Sequence, residues 1–153
     1  MLTYRNARIE QLIPAYSDLM GLGLGPRPTL VYTHQHGHPG TLYGGLLTEN
    51  IVQAICRDLL AAALVECERL CLGACLHVHD EIVVEVPCEC DLTVQEMLVE
   101  LCCAMSTPPA WAEGFPIAVE GFSNPRYTKS PFKGSYLCEA SGGVVTRSYR
   151  KSM

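Results

Sequence analysis

Apolar residues along this chain change their spacing twice, and the changes mark out its elements. From Ile51 the positions Ile55, Leu59, Ala62 and Ala63 recur at helical intervals, which predicts a helix over about 49–72. Thr48 stands where an N-cap would, Glu49 follows in the first turn, and Gly73 marks the stop. The period then shortens. Leu76-His77-Val78-His79-Asp80-Glu81-Ile82-Val83-Val84-Glu85-Val86 reads as two strands joined by a very short turn, a β-hairpin over about 75–87 with Asp80-Glu81 at its tip. Val83 and Val84 are adjacent and both apolar, so the hairpin is expected to be central, with Val78, Ile82 and Val84 in the core. Helical spacing returns with Thr93-x-x-Glu96, a capping box. It continues through Val94, Met97, Leu98, Leu101, Cys102 and Met105 to Pro108-Pro109, predicting a helix over about 94–106. Phe115 to Gly121 reads as a last strand, edge-like at Pro116.

The order helix, hairpin, helix, strand predicts an α+β fold, an antiparallel sheet backed by helices, over residues 48–132. Residues 1–47 are interrupted by Gly21, Gly23, Gly25, Pro26, Pro28, Pro39, Gly40, Gly44 and Gly45, and read as an irregular lead-in around one short strand, Thr29–Thr33. His34, His36 and His38 alternate there, where solvated histidines are the plainer reading. Residues 133–153 are polar and glycine-containing, end in Arg147, Arg150 and Lys151, and read as a flexible tail. No internal repeat and no second globular domain is visible.

Composition narrows the function classes. With 153 residues, 48% of them hydrophobic, the chain can bury one core. A formal charge of −5 and a pI near 5.5 give no global attraction for nucleic acid or an anionic membrane, so any DNA contact must come from local basic positions or bridging metal ions. No apolar run reaches the roughly 18 residues that span a bilayer, and the start lacks a signal-peptide pattern, so a cytoplasmic chain without a membrane partner is expected. Nine cysteines are many, but most fall at apolar positions where a free thiol behaves as a small hydrophobe. Cys67, Cys71 and Cys75 with His77 could be drawn as a zinc site. The usual paired hooks are missing, except for the tight Cys88-x-Cys90.

The hairpin tip is the stronger chemical signal. Short hairpin turns favour Asn-Gly, Asp-Gly or Gly-X because their central residues need positive φ, and Asp-Glu suits that poorly. A turn that keeps two carboxylates against this preference is suited to hold a divalent cation against phosphate oxygens. Gln53 and Arg57 lie one turn apart on the first helix, where an exposed polar stripe is the plain reading.

The residues together resemble a known family. Leu42-Tyr43-Gly44-Gly45, the run Thr48 to Leu60, Leu76 to Val83, Trp111 to Ile117 and Arg126-Tyr127 are similar, in this order, to the C-terminal palm part of phage-type family A DNA polymerases. Leu2 to Ile9 resembles the segment leading into that region, so the likeness spans about residues 1–132. The resemblance implies a palm-type sheet whose hairpin carries the third polymerase motif, His79-Asp80-Glu81. Asp80 would ligand two catalytic Mg²⁺ ions, Glu81 would assist near the metal or primer end, and His79 would sit against the primer terminus. Gln53 and, more weakly, Arg57 would face the template-primer. The chemistry implied is nucleotidyl transfer in DNA replication, with template-primer DNA and dNTP as partners, in a bacterial host or phage-infected cell.

The departures carry as much as the match. In the family, a further essential aspartate and the nucleotide-binding R…K…YG helix lie upstream of the region resembled, and no segment here supplies them. The implied Mg²⁺ site is therefore completed by a carboxylate outside this sequence. The chain is expected to be inactive alone, and to bind the missing polymerase portion as a separate chain or to self-associate. Two rival readings stand beside this one: a domesticated or remnant palm-like module that binds DNA or protein without catalysis, and a metal-dependent hydrolase using Asp80, Glu81, His77 and His79.

Overall fold

The computed structural model describes residues 3–13, 20, 21, 23–87 and 93–151. Within them the fold is α+β, as the alternation of periods predicts, but its strands form three small antiparallel sheets in place of one central sheet. Two compact units, Met1–Ile55 and Cys56–Met153, divide the chain inside its long helix.

The first unit holds β1 (Arg5–Leu12), β2 (Arg27–Thr33) and β3 (Pro39–Leu42), paired antiparallel in that order. The expected irregular lead-in is thus a sheet. Its glycines and prolines misled because several of them stand inside elements: Pro28 lies in β2 and Pro39 and Gly40 lie in β3, while Gly37, with φ +83°, sits in the β2–β3 connection, which His34 N–H to His38 O (2.8 Å) and Gly37 N–H to His34 O (2.9 Å) close. Val31 and Leu42 are its buried apolar residues, and the three alternating histidines are exposed.

Helix α1 runs from Gly44 to Arg69. It starts four residues before the expected cap, so Thr48 lies inside it and its hydroxyl donates back to Gly44 O (2.9 Å). The anticipated apolar stripe is buried only toward its end: Ile51 and Ile55 are exposed, while Ala63 and Cys67 are buried. The stop is Cys71, not Gly73. Cys71 has φ +55°, its N–H reaches Glu68 O, and Leu72 N–H reaches Cys67 O (both 3.0 Å). This is a Schellman motif with cysteine where glycine is usual, closed by Leu72 packing into the same cluster as Cys67.

In the second unit, β4 (Ala74–Val78) and β5 (Glu81–Val84) form a two-stranded sheet by themselves. Helix α2 (Val94–Ser106) follows behind the expected capping box: Glu96 N–H donates to Thr93 Oγ1 (3.3 Å) and Thr93 N–H to Glu96 Oε2 (2.8 Å). Its stripe is buried at Met97, Leu98 and Cys102, while Val94 is exposed. A short 3₁₀ turn, Ala110–Ala112, leads to β6 (Ala118–Phe122), β7 (Tyr136–Ser141) and β8 (Val144–Arg150). Most of the expected flexible tail is therefore two strands of a three-stranded sheet, in the order β6–β7–β8. The alternation in β7 explains it, because Cys138 and Ala140 point inward to pack with Leu98 and Cys102 while Glu139 between them stays half-exposed.

Two cores result. One joins Ala63, Cys67, Leu72, Ile82, Met97 and Ala104, and the other joins Leu98, Cys102, Cys138 and Ala140. In the second, a Cβ at Gly121 would lie 2.5 Å from Cys102 Sγ and 2.9 Å from Leu98 Cδ1. Gly121→Ala is therefore expected to destabilise the protein by about 1–3 kcal/mol through overpacking. Cys71→Gly is expected to stabilise it by about 0.5–1 kcal/mol by relieving the left-handed cap. Midpoints of denaturant unfolding check both.

The capping box gives a pH dependence. Its hydrogen bonds from the Thr93 hydroxyl and then the Thr93 N–H hold the Glu96 carboxyl below the usual 4.5. A carboxyl depressed in the folded state adds stability above its unfolded pKa and loses it as pH falls through the folded one. Unfolding of the parent should therefore grow easier on acidification below about pH 4.5 by more than that of Glu96→Gln, and parallel profiles would sink the assignment.

Candidate functional site

The hairpin tip is built by register. Val78 pairs with Glu81 and His77 with Ile82, so the two turn residues are His79 and Asp80, one position earlier than the expected Asp80-Glu81 turn. Asp80 occupies the turn and Glu81 begins β5, which leaves the two carboxylates adjacent at one end of a hydrogen-bonded pair of strands. His79, not a carboxylate, takes the positive φ (+54°) at a position where a two-residue turn favours glycine. Such a conformation costs a non-glycine residue on the order of 1 kcal/mol or more.

Anchorage comes from Ile82, which is 8% exposed and packs in the core with Cys67 and Met97. Val84 is half-buried, whereas Val78 is exposed, contrary to its expected place in the core. The reason is the isolation of the hairpin: only one face of a two-stranded sheet meets the helices, and the register breaks between Ala74 and Leu76, where Cys75 is left over. Apolar neighbours at Val83 and Val84 are thus not the sign of a strand covered on both faces. His79, Asp80 and Glu81 are all exposed.

A residue that sequence spacing did not single out for a role completes the tip. Tyr127 Oη donates to Glu81 Oε2 at 2.9 Å, across 46 positions of sequence, and this bond raises the phenol above its usual pKa of 10. Tyr127 belongs to the Arg126-Tyr127 pair, but nothing in local periodicity signals its partner.

The other expected residues sit on α1. Gln53 is exposed and its Nε2 donates to Glu49 Oε1 (3.2 Å), so Glu49 serves this side chain and not the helix start. Arg57 is exposed one turn further on.

Asp80 and Glu81 offer the hard oxygen donors that suit Mg²⁺, but a two-metal site needs more of them. Among the described residues no group of three or more His, Cys, Asp or Glu side chains is placed to hold a metal ion. The donors therefore match the metal in kind and fall short in number. The zinc arrangement of Cys67, Cys71, Cys75 and His77 does not assemble either: Cys67 is buried and the other three are exposed, and Cys88-x-Cys90 lies outside the described residues. Cys102 and Cys138 are buried together, and burial first, then the neighbouring Cys138, pushes the Cys102 thiol well above its usual range. A thiol so held is packing material and a poor nucleophile.

No helix among the described residues is long and apolar enough to cross a membrane. No protein-family model and no solved structure matches the chain. One relationship is found by sequence: 87 residues, 57% of this chain, are 39% identical to a DNA polymerase of Bacillus phage SP02. The match spans only 13% of that polymerase, so the chain corresponds to a small part of its relative, and that relationship is to a DNA polymerase.

Proposed function

We propose that this chain is the C-terminal palm segment of a family A DNA-directed DNA polymerase, contributing the His79-Asp80-Glu81 hairpin to nucleotidyl transfer in DNA replication. The observation that carries the reading is the pair of exposed adjacent carboxylates on a hairpin fixed by Ile82, in a chain 39% identical over 87 residues to a phage polymerase. Asp80 and Glu81 would hold Mg²⁺ only when a further carboxylate is supplied from outside these 153 residues, since no third donor stands near them among the described residues. His79 would face the primer terminus, and Gln53 and Arg57 would contribute template-primer contacts from α1. The partners proposed are template-primer DNA, dNTP and the polypeptide bearing the remaining polymerase elements, with a cytoplasmic location and no membrane. Exposed Leu76, Val78, Trp111 and Phe115 leave apolar surface for a polypeptide partner.

The decisive experiment replaces the matched stretch of the phage SP02 polymerase with the corresponding stretch of this chain. The hybrid is expected to extend a primer in Mg²⁺, and Asp80→Ala in it to abolish extension while leaving template-primer binding intact. The isolated chain should not extend a primer at all. A folded hybrid that binds template-primer without extending it would refute the palm reading. Metal-dependent phosphodiester hydrolysis by the isolated chain, lost in Asp80→Ala, would replace it with a hydrolase.

A further inference from the structure

The distribution of charge in the second unit is uneven. Six of the eleven Lys and Arg residues follow Phe122, but only one of the sixteen Asp and Glu residues does. A chain of net charge −5 thus ends in a segment with a surplus of five positive charges. Arg147 is paired with Glu139 at 3.7 Å. The other five, Arg126, Lys129, Lys133, Arg150 and Lys151, are exposed and form no ion pair among the described residues.

Three of these cations, Arg126, Lys129 and Lys133, lie on a hydrogen-bonded loop, and the other two, at the end of β8, bond to its carbonyls. Asn124 is its hub: Nδ2 donates to Ser130 O (3.0 Å), and Oδ1 accepts from Phe132 N–H (3.0 Å) and from the Ser135 hydroxyl. Arg150 Nε donates to Gly134 O (2.8 Å) and Lys151 Nζ to Pro131 O (2.9 Å), which brings the end of β8 onto the same loop. Arg126 lies 5.9 Å over Phe132, and Arg150 lies 5.3 Å over Tyr136. Tyr127, inside the loop, bonds Glu81 at the hairpin tip. The cationic loop therefore abuts the carboxylate pair.

We propose that the loop 124–134 and the end of β8 form a binding surface for the phosphate backbone of a nucleic acid, beside the Asp80–Glu81 tip. The choice of occupant rests on the polymerase reading; the surface itself rests on the charges. Five cations with interleaved aromatic rings, set beside a carboxylate tip, match a polyanion that must approach that tip against a negative net charge. Duplex or single-stranded DNA has that form.

The test is fluorescence anisotropy of a short labelled DNA duplex with the whole chain, titrated with salt in EDTA so that no metal at the hairpin contributes. Binding by the parent should weaken with salt at a slope of log K against log[salt] of about −4.5, the value for five phosphate contacts on a duplex. The double variant Lys129→Glu/Lys133→Glu should bind about ten-fold or more weakly with a slope nearer −3, because two contacts are lost. Neither side chain anchors the loop, so folding should persist, and circular dichroism checks it. Arg5→Glu/Arg27→Glu makes the same change of net charge in the first unit and should leave affinity within about two-fold. Equal loss in both double variants, a salt-independent isotherm, no binding at low salt, or displacement of the DNA by phosphatidylserine vesicles at matched charge would each overturn the proposal. The hybrid extension assay probes Asp80 in metal and this one omits metal, so either reading can fail alone.

Discussion

Burial of Ile82 is the constraint on which the hairpin depends. A hairpin of two strands is marginal in water unless something packs against one face. Here that support is Ile82, set into the cluster of Ala63, Cys67, Leu72, Met97 and Ala104, with Val84 and Val86 packed alongside. Glu81 and Asp80 immediately precede it, so their backbone positions are fixed from below while their side chains reach solvent. The Schellman cap at Cys71 and the capping box at Thr93 serve the same end, since each terminates or starts a helix that lines this cluster.

Electrostatics divides the second unit between two kinds of surface. At the tip, Asp80 and Glu81 stand adjacent and exposed; in the adjoining loop and at the end of β8, five cations form no ion pair among the described residues. Tyr127 joins the two, and its phenol occupies one lone pair of Glu81. The exposed ion pairs, Arg8–Glu10, Arg69–Glu66 and Arg147–Glu139, are of the solvated sort that contribute little to stability.

Much of this was legible in the sequence where a signal is local. Thr93-x-x-Glu96 and the Met97, Leu98, Cys102 stripe fix α2, and the hairpin follows from its short period. The misreadings share one cause, which is that tertiary context decided them. Thr48 looks like a cap, yet the helix already begins at Gly44. Gly73 looks like the stop, yet Cys71 takes the left-handed conformation two residues earlier. Glycines and prolines before residue 47 suggested disorder of pattern, yet Pro28, Pro39 and Gly40 lie within paired strands and Gly44 and Gly45 open α1. Residues 133–153 suggested a tail because their apolar content is low; Cys138 and Ala140 suffice to seat β7, and no window of sequence reveals that Gly121 makes room for Cys102. At the hairpin tip, the exposure of Asp80 and Glu81 follows from residue type, whereas the approach of Tyr127 over 46 positions does not.

The isolation of β4 and β5 has a consequence for assembly. Among the described residues neither strand has a second neighbour, so each presents an outer row of backbone N–H and C=O groups. Such rows are rungs without a ladder. Rows of this kind are what an added strand pairs with through main-chain hydrogen bonds. A strand paired there would lie about 4.8 Å from β4 or β5, one inter-strand spacing. The same short hairpin that exposes the carboxylates thus also exposes backbone groups that an added strand could pair.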